Sequence, residues 1–425
     1  MSARKRHAIL HIGTGKTGTT SIQSRLKQAG EELLGRGYYY PETWGPRHHG
    51  QLARIMSPRS RAAADAAVAS LSNELAQLPE SVHTVAFSSE LMYGQSLVPG
   101  SVARLKEALD PYFDSFKLVV YLRRQDEMAV SGYSTLIKGG RIFEDPFDMG
   151  EARLRVFDYA ANLEPWSEAF GRDAIVARVF DRTEFAGGDV VTDFLHAVGI
   201  GALATKAENP EANPSLDAAA LEFLRRINAA ASGTRDVFET ADGNAKQAHT
   251  PRTTRLPKLL VEEFPGKGML PAREQAVAFY ERFRQTNAEV LARYFPRRAQ
   301  LFREDFSRYP DVPEKPSETA MLDVAVRVVL VLLRQLDRYS AADHVRQARK
   351  ARETGDTANA RELYLTALAE GGGKAALDEL ASLTPDPVEA ERLLHRIRSM
   401  GPSQQTIRRV ESALFPKRVA KYRTA

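Results

Sequence analysis

Cysteine is absent from this chain of 425 residues. Its absence excludes disulfide bonds, thiolate metal ligands and a cysteine nucleophile. Long apolar runs are also missing: the most apolar stretch, residues 324–333, contains Arg327 and is far shorter than a membrane span. We expect a buried helix there. Charge of one sign is not in large excess either, because the formal net charge of +5 is small for this length. It is compatible with an anionic cofactor or an acidic glycan but does not indicate nucleic acid.

What the chain does have is length and an ordinary composition. Its size is sufficient for a large core and two domains. The apolar fraction of 43% and the charged fraction of 27% are typical of a soluble protein. Residues 2–7 are basic, but a predicted strand follows at once, without the apolar segment of a signal peptide. We therefore expect a cytoplasmic protein without a membrane span.

Short apolar segments alternate with helical patterns through the first part of the chain. Four of them are predicted as strands: residues 8–12, 82–87, 117–122 and 174–180. Strands of this kind, separated by helices, indicate a parallel sheet that is covered on both faces. Further on, residues 275–295 show the spacing of one long helix. The fold class predicted from these patterns is α/β.

Composition changes after the proline-rich segment 309–316, which is the predicted linker. Residues 317–425 are rich in alanine, arginine and glutamate and contain no strand signal. Residues 348–368 have the small and large side chains of one tetratricopeptide-type helical hairpin, and residues 375–397 resemble a degenerate second one. An ordinary helical hairpin is the equal alternative. We predict two domains, residues 1–310 and an all-α region at residues 317–425.

A loop rich in glycine and threonine follows the first predicted strand, in the sequence GTGKTGTT of residues 13–20. Its glycines let the backbone turn sharply and approach a ligand closely. Hydroxyl side chains that can cap the next helix come at its end: Thr19, Thr20 and Ser21. Successive N–H groups, the positive end of the helix and the ammonium group of Lys16 together predict a phosphate-binding loop.

Two known phosphate-binding patterns can be compared with this loop. The pattern of nucleotide kinases and hydrolases is G-x-x-x-x-G-K-[ST], and Leu10 stands where its first glycine belongs. No apolar strand ends in a clear magnesium-binding aspartate either, so this alternative is incomplete. The run KTGTT at residues 16–20 instead resembles the K-[ST]-G-T-[TS] loop of sulfotransferases. The resemblance implies that the 5′-phosphosulfate end of 3′-phosphoadenosine 5′-phosphosulfate (PAPS) is bound by Gly15, Lys16, Thr17, Gly18, Thr19 and Thr20.

A second element strengthens the resemblance. Arg123 follows the strand predicted at residues 117–122, and Ser131 comes eight residues after it. In sulfotransferases an arginine and a serine at this spacing hold the 3′-phosphate of PAPS. An arginine offers a planar fork of donors to phosphate oxygens, and a serine hydroxyl adds one more. The resemblance covers about residues 7–305. It implies a P-loop-type parallel sheet sandwiched by helices, the sulfotransferase fold, for the first domain.

The resemblance also implies the reaction. A sulfuryl group would pass from PAPS to an acceptor hydroxyl, with Lys16 stabilising negative charge on the departing nucleotide. Glu90 holds the place of the general base that glycan sulfotransferases use, and its alternative role is to cap a helix or to form a structural salt bridge. His49, with its neighbour His48, is the competing candidate for the base or for contacts with the acceptor, although a histidine in such a loop is more often a surface or packing residue. The resemblance implies no metal.

Two departures from the family pattern bear on this interpretation. Cytosolic sulfotransferases contact the 3′-phosphate with an arginine-lysine-glycine element, which is matched here only by Gly266-Lys267-Gly268, without the arginine. Ser21 replaces the tryptophan of the animal loop.

The chain looks most like bacterial sulfotransferases, which often modify sugars, so the expected acceptor is a carbohydrate or a glycolipid. A third alternative is a non-catalytic interaction protein that binds a protein partner through its C-terminal helices.

Overall fold

A computed structural model describes residues 6–42, 44–45, 48–57, 61–203, 215–233, 251–313, 315–370, 374–399 and 404–415. The chain divides into two compact units, Met1–Ser317 and Glu318–Ala425. No described helix combines the length and the apolar character that are needed to cross a membrane.

The first unit is built on a five-stranded sheet. Its strands are β1 (Arg6–His11), β2 (Tyr38–Tyr39), β3 (Thr84–Ser88), β4 (Phe113–Leu122) and β5 (Ile175–Val179). They lie in the order β2-β3-β1-β4-β5, and every neighbouring pair is parallel. The predicted α/β class, with a parallel sheet between helices, is confirmed.

The described helices of the first unit are α1 (Thr19–Gln28), α2 (Gly30–Gly35), α3 (Gly50–Met56), α4 (Arg61–Ala76), α5 (Glu90–Gln95), α6 (Ser101–Leu109), α7 (Gln125–Lys138), α8 (Glu151–Leu154), α9 (Tyr159–Phe170), α10 (Val190–Ala197), α11 (Ala218–Gly233), α12 (Pro251–Glu263), α13 (Arg273–Glu281) and α14 (Arg284–Tyr294). The prediction of one helix over residues 275–295 is wrong. The chain breaks at Phe283, which leaves helical geometry (φ −110°, ψ 10°) and buries its ring.

Successive side chains along the strands point alternately to the two faces of the sheet and pack in two separate apolar cores. On β4, Leu118 and Val120 pack on the face covered by α3, α4, α6 and α9. Val119 and Tyr121 pack on the opposite face, which α1, α2 and α10 cover. All four side chains are fully buried, and burial of one such aliphatic side chain contributes roughly 1.5–3 kcal/mol. The absence of polar alternation in the strands follows from this burial on both faces.

The order of the strands brings three polar segments to one edge. The chain runs from central β1 to β2 and β3 on one side, then crosses to β4 and β5 on the other. Ligands of open parallel sheets bind at the carboxyl edge where the strand order reverses in this way. The loop with Lys16 follows β1, Glu90 follows β3, and Arg123 follows β4. All three therefore lie at the same edge.

The second unit is helical in its described part. Its helices are α15 (Glu318–Glu353), α16 (Thr357–Ala369), α17 (Lys374–Ser382), α18 (Pro387–Ser399) and α19 (Gln404–Leu414). Gly355, at φ +83°, turns the chain between α15 and α16, and Asp356 caps α16 by accepting from the N–H of Asn359 at 3.1 Å. Ala360 and Tyr364 are fully buried, so α15 and α16 form a packed hairpin.

The apolar stretch at residues 324–333 lies within α15, and the expectation that it is buried is only half right. Val324 and Val328 are buried. The exposed apolar side chains are Val326, Val329, Leu330, Leu332 and Leu333. The apolar core of this unit begins at Ala341, so these earlier turns of α15 lie outside it.

Candidate active site at the carboxyl edge

The loop between β1 and α1 contains two residues in the left-handed region. Lys16 has φ +68° and is the one non-glycine residue with positive φ in the described chain. Such backbone conformations are costly and concentrate at functional sites. Gly18 has φ +74°, and a Cβ atom there would lie 2.6 Å from Cγ1 of Val190. Gly18 is thus required both by its conformation and by the close approach of α10.

A row of unpaired backbone donors follows from this loop shape. Among the described residues, no acceptor is found for the N–H groups of residues 15–20. Oγ1 of Thr19 is buried and also has no partner. A Cβ atom on Gly15 would meet nothing within 4 Å, so open space adjoins the loop. Unpaired N–H groups at the start of a ten-residue helix form a site for an anion.

The hydroxyl groups of the loop are used differently from what the sequence predicts. The predicted side-chain cap of α1 is wrong, because Gly18 occupies the N-cap position and no side chain caps the helix. Oγ1 of Thr17 donates to the carbonyl of Thr14 at 2.6 Å, and Oγ1 of Thr14 donates to the carbonyl of Tyr121 on β4, also at 2.6 Å. These two hydroxyls fix the loop in place. The hydroxyl of Thr20, whose residue is exposed, is not drawn into this network.

The ammonium group of Lys16 points towards α7. Its Nζ lies 3.4 Å from Oγ1 of Thr135. The pKa of Lys16 is lowered, first because the surrounding protein displaces part of its water and then because Lys138 and Arg123 add like charge. The side chain is nevertheless exposed, so a negatively charged ligand can reach its ammonium group.

Arg123 lies directly against the loop. Its Nη1 donates to the carbonyl oxygen of Lys16 at 3.0 Å, and its Nε donates to Oε2 of Glu127 at 3.3 Å. The guanidinium group stands over the ring of Phe180, 5.3 Å from its centroid. The hydroxyl of Tyr159 donates to the carbonyl of Arg123. The two residues that the sequence assigns to opposite ends of a nucleotide are therefore neighbours.

Ser131 lies on the face of α7 that looks towards this loop. Glu127, Ser131 and Thr135 follow one another at intervals of four residues, which places them on one side of a helix. Glu127 contacts Arg123 and Thr135 contacts Lys16, so Ser131 is located between these two contacts. Its half-buried hydroxyl makes no hydrogen bond with another described residue.

Glu90 is the first residue of α5. The capping position before it belongs to Ser89, whose Oγ accepts from the N–H of Leu91 at 3.3 Å. The capping role that the sequence left open for Glu90 is thus filled by its neighbour. Nε2 of Gln23, a buried residue on α1, donates to Oε2 of Glu90 at 3.1 Å. This contact links the carboxylate to the helix that follows the loop.

His49 has both ring nitrogens engaged. Its Nδ1 accepts from the backbone N–H of Ser88 at 3.1 Å, and Nε2 donates to the carbonyl of Pro41 at 2.8 Å. These partners fix the neutral ring with its proton on Nε2. Burial lowers the pKa of His49 to about 4, and the ring is fully buried. We therefore leave His49 out of the catalytic set. His48 is exposed.

The glycine-lysine-glycine segment lies in a surface loop. A Cβ atom at Gly266 would lie 2.7 Å from Cβ and 2.9 Å from Cα of Asp217. This close approach explains why the segment cannot carry an arginine there. Lys267 is exposed and lines a cavity of about 530 Å³ together with Arg308.

Two residues at this edge were not singled out from the sequence. Thr135 could have been found, because it lies one helical turn beyond Ser131. Gln23 gave no signal, since its role depends on the approach of α1 and α5, which the strand order decides.

The chain is thus an α/β protein with a glycine- and threonine-rich loop after the central strand of its sheet. No family model matches it. An uncharacterized protein of Archaeoglobus fulgidus is 29% identical over 221 residues, which are 51% of this chain and 56% of that protein. The chain spans about half the length of the curated relative that it matches. A crystal structure of a sulfotransferase from Alicyclobacillus acidocaldarius is 20% identical, with a TM-score of 0.34, over 49% of this chain and 87% of that chain.

Proposed function

We propose that this protein transfers the sulfuryl group of PAPS to an acceptor hydroxyl. The observation that carries the proposal is the 3.0 Å hydrogen bond from Nη1 of Arg123 to the carbonyl of Lys16. It joins a loop with unpaired N–H groups to a second group of anion-binding side chains. Two adjacent sites of this kind suit one ligand that carries phosphate at two positions.

The residues present fit such a ligand. The N–H groups of residues 15–20, the unpartnered Oγ1 of Thr19 and the ammonium of Lys16 would hold the 5′-phosphosulfate. The guanidinium of Arg123 and the hydroxyl of Ser131 would hold the 3′-phosphate. The exposed lysine and the open space beside Gly15 leave room for approach.

The group transfer needs a base and a stabilised leaving group. Glu90 accepts the proton of the acceptor hydroxyl as that oxygen forms a bond to sulfur. The bond from sulfur to the oxygen of the 5′-phosphate breaks, and that oxygen keeps the electron pair. Lys16 stabilises the negative charge that develops there. The protein otherwise contributes positioning, with attack and departure in line, by analogy with phosphoryl transfer.

For the acceptor, the proposal names only a chemical class. A carbohydrate or glycolipid hydroxyl is favoured by the overall resemblance to bacterial sulfotransferases and by the small positive net charge, which suits an anionic glycan. The proposed compartment is the cytoplasm, consistent with a chain that contains no cysteine.

The test is transfer of radiolabelled sulfate from PAPS to a panel of glycans, glycolipids and small alcohols, in the presence of EDTA. Lys16→Ala is expected to lower transfer by at least about 100-fold, since removal of one charge-stabilising donor has this effect. Glu90→Gln is expected to lower transfer by about 100- to 10,000-fold without changing the affinity for 3′-phosphoadenosine 5′-phosphate (PAP).

Lys27→Ala is the matched control, because Lys27 is an exposed lysine on α1 away from the loop, and it should retain full transfer. Absence of both transfer and a thermal shift with PAP would contradict the proposal. Magnesium-dependent turnover of ATP in the same preparation would instead favour a nucleotide kinase or hydrolase.

A further inference from the structure

A lysine in the last turn of α7 extends the candidate site beyond Lys16. Ser131, Thr135 and Lys138 lie on one side of this helix, at intervals of four and three residues. The hydroxyl of Thr135 is the group that Nζ of Lys16 contacts at 3.4 Å. Lys138 comes one turn later, about 10 Å along the helix axis from Ser131. The proposed nucleotide extends from Ser131 to Lys16, so Lys138 lies past its sulfuryl end, where an acceptor that attacks in line has to bind.

The ammonium group of Lys138 has no ion pair or hydrogen bond with any described residue. The side chain is half-buried, and burial lowers the pKa of Lys138. Its positive charge also contributes to the lowered pKa of Lys16, after the larger effect of burial. Two ammonium groups that repel each other in this way attract an anion to the space beside them.

Two arginines continue the positive charge after the end of α7. Arg141 follows the turn at residues 139–140 and is exposed. The guanidinium group of Arg153 stands over the ring of Phe143, 5.4 Å from its centroid. Burial, and then the like charge of Arg141, lowers the pKa of Arg153. Within the part of the chain that the structure describes, neither guanidinium group pairs with a carboxylate.

Acidic residues of the same loop do not neutralise these cations. Oε1 of Glu144 lies 3.7 Å from Nη1 of Arg225 on α11. Asp145 accepts a hydrogen bond from Nε2 of Gln275 at 2.9 Å. Asp148 is exposed. The positive charge of Lys138 and the two arginines therefore remains available to a ligand.

The backbone that carries Arg141 is fixed by contacts with α7 and α11. The hydroxyl of Tyr133, a buried residue of α7, donates to the carbonyl of Phe143 at 2.8 Å. Nδ2 of Asn228 on α11 donates to the carbonyls of Ile137 and Arg141, at 2.8 Å and 3.0 Å. The end of α7 and the loop after it thus form one braced surface.

We propose that Lys138, Arg141 and Arg153 bind an anionic group of the acceptor, which makes the acceptor an acidic glycan. This inference rests on the proposed function. A carboxylate or a sulfate group on the glycan accepts charge-assisted hydrogen bonds from these side chains. A neutral sugar would displace water from the half-buried ammonium group of Lys138 without offering a counter-charge. The cations therefore select against neutral acceptors.

The experiment measures the binding of three hexasaccharides to the full-length protein saturated with PAP, by titration calorimetry. Chondroitin carries carboxylates alone, carboxyl-reduced chondroitin sulfate carries sulfates alone, and carboxyl-reduced chondroitin carries neither. The wild-type protein should bind at least one anionic probe at least about 10-fold more tightly than the neutral one. Lys138→Gln and Arg153→Gln should each weaken binding of that probe by about 5- to 30-fold and leave the neutral probe unchanged.

Arg226→Gln is the matched control. Arg226 is an exposed arginine on the neighbouring helix α11, and its Nε already donates to Oε1 of Glu222 at 2.9 Å. This variant should bind all three probes as the wild-type protein does. The affinity for PAP should stay within about threefold in every variant, because the substituted side chains do not contact the nucleotide.

The outcomes separate this inference from the proposed function. If the wild-type protein binds PAP but prefers neither anionic probe to the neutral one, the inference fails and the proposed function stands. An anionic preference that both Lys138→Gln and Arg153→Gln retain would overturn the role of these cations. A large loss of PAP affinity in both variants would show a structural role, with the same consequence. If the wild-type protein does not bind PAP, the proposed function itself fails.

Discussion

At the scale of single residues, hydrogen bonding distinguishes polar groups that hold the structure together from polar groups that are available to bind a ligand. The hydroxyl of Thr17 and the ring of His49 are saturated by the backbone around them. The hydroxyls of Thr19 and Ser131 have no partner among the described residues. The available groups surround the loop after β1, whereas the saturated ones hold that loop and its neighbours in shape.

Two buried histidines predict loss of stability in acid. Burial lowers the pKa of His11 to about 3 and that of His49 to about 4, from an ordinary value of 6.5. Between these folded values and 6.5 the unfolded chain binds more protons than the folded one, so stability rises with pH there. The contribution is complete above 6.5 and is lost as pH falls towards 4 for His49 and towards 3 for His11.

The measurement is urea unfolding of wild-type protein and His49→Gln from pH 7 to pH 4. The difference in free energy of unfolding between them should shrink by up to about 1.4 kcal/mol per pH unit below 6.5, because the variant lacks one of the titrating groups. A difference that stays constant over this range would show that His49 does not titrate as its burial requires.

The sequence could single out Lys16 and Arg123, because each belongs to a short motif whose spacing carries chemical meaning. It could not determine the state of His49. That state depends on the backbone groups of Pro41 and Ser88, which are 8 and 39 residues away along the chain and are brought to the ring by the fold. The contact of Arg308 with Glu127 could not be predicted from the sequence for the same reason, because it joins residues that are 181 positions apart.

At the scale of elements, α7 is the helix on which the candidate site depends. It carries Ser131 and Thr135 on its exposed side, and its first turn is tied to the end of the unit by Asp126. Asp126 is fully buried between Arg124 and Tyr309. Removal of one partner leaves the other as a buried, uncompensated charge.

Asp126→Asn is therefore expected to lower the free energy of unfolding by about 3–5 kcal/mol. Urea denaturation followed by circular dichroism measures the change. Glu281→Gln, which removes an exposed partner of Arg284, serves as the control and should cost much less. If the two substitutions lower the free energy of unfolding equally, burial of the pair Arg124–Asp126 does not increase its contribution to stability.

Elements with a strong local signal were predicted well, and those decided by distant contacts were not. Four of the five strands, β1, β3, β4 and β5, are apolar runs, and these four were recognised. The break at Phe283 was missed because its helical spacing continues through it, and only burial of the ring in the core favours the bend. The exposure of the apolar turns of α15 likewise depends on where the core of its unit begins.

At the scale of the whole molecule, the two units have separate apolar cores. The cores on the two faces of the sheet contain residues up to Phe302, and the core of the second unit begins at Ala341. All residues proposed for nucleotide binding lie before Ser317. We therefore expect the proposed site to form without the second unit.

A chain that ends at Ser317 is expected to fold and to keep the thermal shift that PAP produces in the full-length protein. Differential scanning fluorimetry of both chains, with and without PAP, measures this. The rate of transfer to a small alcohol should be the same for the shorter chain and the full chain. If the shorter chain loses only the binding of a protein partner, the helices of the second unit serve to bind that partner. Failure of the shorter chain to respond to PAP would show that the second unit contributes to the site.

The two hydrogen bonds that join the loop after β1 to the neighbouring strand have a consequence for the kinetics of binding. Oγ1 of Thr14 reaches the carbonyl of Tyr121, and Arg123 reaches the carbonyl of Lys16. The loop is thereby braced before any nucleotide arrives, so little conformational entropy remains to be lost on association. Such a preorganised loop should capture the proposed nucleotide in a single kinetic phase, without a slow rearrangement after the encounter.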